Sequence, residues 1–136
     1  MPYLALNREL KMKLRAITID DDAMSILMIE NLSKKVEDLD LVNTYDDPIK
    51  GAAGIILDKP DILFLDIDMP EFNGIEIMDS LVRPPKIIVI SANPNYEDRV
   101  IDLDAVSFIK KPAGIKEFTA AVEKVRALLL TEQAQA

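Results

Sequence analysis

Four apolar runs in this chain of 136 residues each stop on a side chain that carries chemistry. Residues 14–19 open onto Asp20 and Asp21, 62–65 onto Asp66, 87–90 onto Ser91, and the less regular 105–109 onto Lys110, Lys111 and Pro112. Runs this short cannot cross a bilayer. They read as strands buried on both faces, the pattern of a parallel sheet covered by helices. Ligands of open α/β sheets collect beyond the carboxyl ends of the strands. That edge would gather three carboxylates, a hydroxyl and an ammonium, a set suited to a divalent cation together with a phosphoryl group.

The segments between the runs have helical spacing, so strand and helix alternate five times. Asp22 or Ser25 caps a first helix to about residue 35, with Ile26, Ile29 and Leu32 on one face. A second strand over 41–45 leads to Asp47-Pro48, the cap and first position of a helix to about residue 57, which Gly51 and Gly54 weaken and Lys59-Pro60 ends. Residues 75–81 give a short helix stopped by Arg83-Pro84-Pro85. A short acidic helix covers 95–103. The last helix runs over 114–130, with Ile115, Phe118, Val122, Val125 and Leu129 on one stripe. Residues 1–13 form an extension that reads as a loose arm or a short helix, and 131–136 a polar tail expected to fray.

Length fits one domain with a single core over 14–130. A formal net charge of −8 argues against a nucleic-acid or anionic-membrane surface, so DNA binding would need another domain. The chain has no cysteine, which excludes disulfides and thiolate metal sites. Nothing resembles a signal peptide, and a cytoplasmic location is expected. Histidine is also absent, so any imidazole in the chemistry must come from a partner.

Asp20, Asp21 and Asp22 are adjacent carboxylates that repel one another unless a cation or a cap role separates them. Asp66 adds a second acidic strand end beside the first, in Leu65-Asp66-Ile67-Asp68-Met69-Pro70 with Asn73-Gly74 following. Mg²⁺ takes one or two carboxylates, a backbone carbonyl and waters, which such a cluster supplies. A carboxylate nucleophile can accept a phosphoryl group when cations neutralise the transferring oxygens, and Lys111 and Ser91 are placed to assist.

In this order of motifs the chain resembles a response-regulator receiver domain of two-component systems, over about 14–130. The carriers are Asp20-Asp21, Asp66 within Leu-Asp-Ile-Asp-Met-Pro, Asn73-Gly74, Ser91-Ala92 and Lys111-Pro112. The resemblance implies a flavodoxin-like three-layer α/β sandwich with a five-stranded parallel sheet in order 2-1-3-4-5. It implies Asp66 as phosphoacceptor, with Mg²⁺ held by Asp21, by Asp20 through water, by Asp66 and by the Asp68 backbone carbonyl. Ser91 would bond the phosphoryl group, Lys111 would pair with another of its oxygens, and Phe108 would fill an aromatic switch position. A cis peptide bond before Pro112 is implied too. The donor would be a sensor histidine kinase or a histidine phosphotransfer protein. An output protein or a second receiver would meet the face of the fourth helix, fifth strand and fifth helix. The Pro84-Pro85 pair and the Ala92-Asn93-Pro94 turn are closest to the branch preceding LytTR-type DNA-binding domains, although none follows here.

Ser91 stands where threonine is frequent and Phe108 where tyrosine is frequent, while Asp68 adds a charge two residues beyond the acceptor. The implied role is a switch that assists its own phosphorylation and dephosphorylation, not a conventional enzyme. One alternative is a haloacid-dehalogenase-like phosphatase with Asp66 as nucleophile and Asp68 as acid, although that motif normally lies on the first strand. Another is a receiver-like binding module that is never phosphorylated. A flavin domain of the same topology would want Gly, Ser and Thr in the first loop, where three aspartates stand.

Overall fold

Side chains of successive residues on a strand point to opposite faces, so a continuous apolar run needs a core on each side. The computed structural model, which describes residues 12–135, has two such cores, one on each face of the sheet, where the length alone suggests a single one. The strands are β1 (Leu14–Ile19), β2 (Leu39–Tyr45), β3 (Ile62–Leu65), β4 (Lys86–Ser91) and β5 (Ser107–Lys110). All pair in parallel, in the order β2-β1-β3-β4-β5. The helices are α1 (Ala23–Lys34), α2 (Pro48–Asp58), α3 (Gly74–Ser80), α4 (Glu97–Asp102) and α5 (Ile115–Gln135). This is the flavodoxin-like sandwich expected from the sequence. No helix among the described residues is long and apolar enough to cross a membrane.

Leu14, Ala16, Ile62, Phe64, Ile88 and Ile90 face α1 and α5, where Phe64 stacks on Phe118 at 4.8 Å between ring centroids. Ile17, Ile19, Leu63, Leu65, Ile87 and Val89 face α2, α3 and α4. The β1–β2 register shifts between Ala16 and Ile17, which leaves Val42 as an extra residue in edge strand β2.

Local chemistry sets the helix ends. Asp22, not Ser25, caps α1: its side chain accepts from the Met24 N–H at 3.1 Å and from the Ser25 hydroxyl at 2.9 Å. Asp47 accepts from the N–H groups of Ile49 and Lys50, with Pro48 first in α2. Gly51 and Gly54 do not interrupt that helix, because a Cβ at either would strike Ile19 or the Tyr45 ring; they let α2 lie close on the sheet. Asn73 and Glu76 form a reciprocal capping box on α3.

Several boundaries differ from the sequence reading: β2 begins two residues earlier, at Leu39, and α3 is shifted one residue earlier, to Gly74–Ser80. Ala105 and Val106 are buried but precede β5. A 3₁₀ turn, Pro94–Tyr96, begins the segment expected to be one helix. α5 continues through the segment expected to fray, held by Lys86 to Glu132 at 2.9 Å. Of the expected extension, residues 1–11 lie outside those described.

Candidate functional site

Backbone register brings the site together. Ile19 pairs with Leu65, so Asp20 and Asp66 leave the sheet side by side, and the Asp66 N–H donates to the Ile19 carbonyl at 3.0 Å. Leu65 pairs in turn with Val89, which sets Ser91 two residues further up β4. Ser91 pairs with Lys110, and the Lys111 N–H donates to the Ser91 carbonyl at 2.9 Å. Each group is thus fixed by a strand rather than by a loose loop. The Lys111-Pro112 peptide bond is cis.

Asp20, Asp66 and Ser91 are buried, Lys111 is half-buried and Asp21 is exposed. Carboxylate oxygens of Asp20, Asp21 and Asp66 lie within 4.8 Å of one another. Lys111 Nζ is 2.9 Å from Asp20 Oδ2 and 3.6 Å from Asp66 Oδ1. One ammonium therefore reaches two of the three clustered carboxylates. Burial pushes the Asp66 carboxyl up to about 7; the charges of Asp20 and Asp21 add to the rise, and Lys111 opposes it. Burial alone would lower the Lys111 pKa, but its hydrogen bond to Asp20 and the charges of Asp66, Asp20 and Asp22 outweigh that and raise it.

The donor set fits a hard divalent cation: all oxygen, clustered, and under-neutralised by the chain's own lysine. Asp22 does not join it. Its carboxylate is spent on capping α1, and its N–H donates to Asp20 Oδ1 at 2.9 Å, which orients Asp20. The Ser25 hydroxyl and the Met24 N–H lower the Asp22 pKa.

Asp68 is exposed and lies outside the carboxylate cluster. Its carboxylate instead meets the Tyr96 hydroxyl, whose pKa it raises, a link between the loops after β3 and β4. The phosphatase alternative wants Asp68 beside Asp66 and gains nothing from this placement. Ser91 Oγ accepts from the Asn93 N–H at 3.1 Å, so the hydroxyl already holds the loop after β4. Phe108 is half-buried and packs on the α2, α3 and α4 side of the sheet.

Sequence reasoning gave no role to Tyr96 or Asn93, and none to Gly74 beyond its place in a motif. A Cβ at Gly74 would lie 2.5 Å from the Asp66 carbonyl oxygen, so only glycine lets the start of α3 close against the acceptor's backbone. An Asn-Gly pair seven and eight residues beyond Asp66 was the available signal for that close approach.

Comparison with known proteins agrees with this geometry. The family model for the response regulator receiver domain matches residues 16–123. The transcriptional regulatory protein LytR of Staphylococcus aureus is 29% identical over 117 residues, covering 84% of this chain and 48% of that protein. A protein-glutamate methylesterase/protein-glutamine glutaminase of Thiobacillus denitrificans is 28% identical, covering 85% of this chain and 36% of that one. The chain thus spans about half, or less, of these relatives' own length. The crystal structure of the response regulator domain of Thermotoga maritima CheB superposes with a TM-score of 0.70 at 25% identity, covering 84% of this chain and 94% of that one.

Proposed function

Because the chain belongs to the response regulator receiver domain family, we propose that it is a signalling switch that takes a phosphoryl group onto Asp66 from a partner's phosphohistidine. The observation that carries this reading is the buried Asp66 carboxylate beside both an acidic pair and the Lys111 ammonium. An Asp66 oxygen attacks phosphorus in line, the P–N bond breaks, and its electron pair returns to the imidazole nitrogen of the donor. The product is an acyl phosphate. The donor is a sensor histidine kinase or a histidine phosphotransfer protein, since this chain has no histidine.

Asp20, Asp21, Asp66 and the Asp68 carbonyl would hold Mg²⁺, which when bound supplies positive charge against the phosphoryl oxygens. Lys111 has only to turn from Asp20 towards the new oxygens. Ser91 donates its hydroxyl to the phosphoryl group while its oxygen can still accept from the Asn93 N–H, so drawing Ser91 towards the phosphoryl pulls the loop after β4 with it. Phe108 turns into the space released. The face of α4, β5 and α5 then changes shape for an output protein or a second receiver. The domain spans 14–130 and acts in the cytoplasm. It assists chemistry on its own Asp66 and is not a conventional enzyme.

The test is intact mass after incubation with Mg²⁺ and acetyl phosphate, comparing the native chain with Asp66→Asn. One added phosphoryl group on the native chain and none on the variant is expected. Labelling that persists in the variant and maps to Ser91 or another aspartate overturns the assignment. Ser91→Ala is expected to be phosphorylated yet to lose most of the change in amide hydrogen exchange across 91–111.

A further inference from the structure

α2 is apolar around nearly its whole circumference, which in a surface helix calls for a partner on each side. Its inner side, Gly51, Gly54 and Ile55, lies on the sheet. Its outer side carries Ile49, Ala53, Ile56 and Leu57, spaced i, i+4, i+7 and i+8 on one helical stripe, all exposed. Among the described residues the three most exposed large apolar side chains are Val82 at 93%, Leu57 at 78% and Ile56 at 72%. Single exposed apolar residues are ordinary; three in one neighbourhood mark a binding surface.

Ile56 and Val82 line an open groove of about 700 Å³ between the end of α2 and the segment leaving α3, and Leu57 follows Ile56 on the exposed stripe of α2. Ile55, Ile56, Pro60, Leu81, Val82 and Pro85 form its apolar lining. Prolines fix the backbone of these walls and remove N–H donors, so an added strand would find few bonds there. A helix, which needs no backbone bonds from its host, suits the groove, and the α2 stripe supplies a ridge for it to pack on.

The rim decides which helix. Lys59 and Arg83 line the groove and no carboxylate does, in a chain whose formal charge is −8. Neither cation takes part in an ion pair among the described residues. A second copy of the chain docking isologously would bring these cations against their own counterparts. We propose that this groove is a docking site for an acidic amphipathic helix of a partner protein, with apolar side chains on Ile56, Leu57 and Val82 and carboxylates on Lys59 and Arg83. It lies on α2 and α3, away from the α4, β5 and α5 face, and does not depend on Asp66.

The probe is a helix-stabilised, end-capped peptide of three turns with leucine at i, i+3, i+4 and i+7 and glutamate elsewhere, compared with its lysine twin. Methyl NMR of the whole chain at about 150 mM salt reads the binding. The glutamate peptide is expected to shift the Ile56, Leu57 and Val82 methyls saturably. The lysine twin is expected not to, although the chain's net charge attracts it. Val82→Asp should weaken binding at least about tenfold, and Lys59→Glu with Arg83→Glu should reverse the peptide preference; all three side chains are exposed and leave the cores intact. Equal binding of both peptides, no shift in the groove, or methyl shifts confined to Ile101 and Ile109 on the α4 and β5 side overturns the proposal. So does a concentration-dependent dimer that Ile56→Asp abolishes, which would make the occupant a second copy.

Discussion

Arg126 at the amino edge of the sheet and the Asp20, Asp66 and Lys111 group at its carboxyl edge are both buried charge, but their surroundings differ. Arg126, on α5 and 5% exposed, donates to the carbonyl oxygens of Met12 and Glu37 and to the Glu123 carboxylate. It thereby ties α5 to the approaches to β1 and β2, and its charge is answered in full. At the other edge three carboxylates share one ammonium, and Asp66 is driven towards neutrality. The first arrangement holds the fold. The second holds back binding energy until a cation and a phosphoryl group enter, which is why perturbed carboxyls collect at functional sites.

The contrast can be sharpened by substitution. Arg126→Ala is expected to destabilise the protein by about 2 kcal/mol, since the carbonyls of Met12 and Glu37 lose charge-assisted bonds from a buried guanidinium. Urea denaturation measures this, and phosphoryl uptake per folded molecule should not change. If the loss is below about 1 kcal/mol, the amino-edge cluster is not the staple described here.

Titration separates the edges next. Asp66 has a folded pKa of about 7 against an ordinary 3.8, so between these values the metal-free folded state holds a proton that the unfolded state has lost. Its stabilising contribution is full below about pH 4 and disappears as pH rises through 7. After solvent screening at the pocket mouth, this amounts to about 2 kcal/mol. Asp66→Asn should flatten that dependence and raise the denaturation midpoint at pH 8, whereas Arg126→Ala should leave the slope as it is. A wild-type curve that is flat from pH 4 to 8 would mean the carboxyl edge is already satisfied.

Mg²⁺ is expected to act on one edge only. Saturating metal at pH 8 should stabilise the native chain by about 1–2 kcal/mol through mass action, with Asp21→Ala losing most of that gain. Metal that stabilises Asp21→Ala as much as the native chain counts against the three-carboxylate site. The smallest effect belongs to the helix that starts beside Asp66: Asn73→Ala removes half of the α3 capping box and should cost about 1 kcal/mol by denaturation, with phosphorylation retained.

Most of the sheet was legible because a strand buried on both faces has no polar residue to blur its limits, as in β3 and in Ile87, Ile88, Val89 and Ile90 of β4. β5 was read two residues early, since Ala105 and Val106 are apolar for a packing reason and lie before the ladder begins. The end of α5 was hidden because Glu132 finds Lys86 from the far side of the chain, a contact that no local pattern encodes. Gly51 and Gly54 looked like helix breakers because the Ile19 and Tyr45 side chains they accommodate belong to other elements. At the site, residue types were plain but their pairing was not. That Lys111 bonds Asp20 more closely than Asp66, and that Asp68 meets Tyr96 instead of the acidic cluster, follow from register and loop path.

The extra residue Val42 in β2 has a consequence for how molecules of this kind share a crowded solution. An open sheet ends in two strands whose outer backbone groups are a template for a neighbour's strand. Here one rim is kinked by the bulge and the other is only four residues long, so neither offers a straight row of donors and acceptors. Pairing of separate molecules edge to edge is disfavoured, and encounters fall to surfaces where side-chain chemistry decides what sticks.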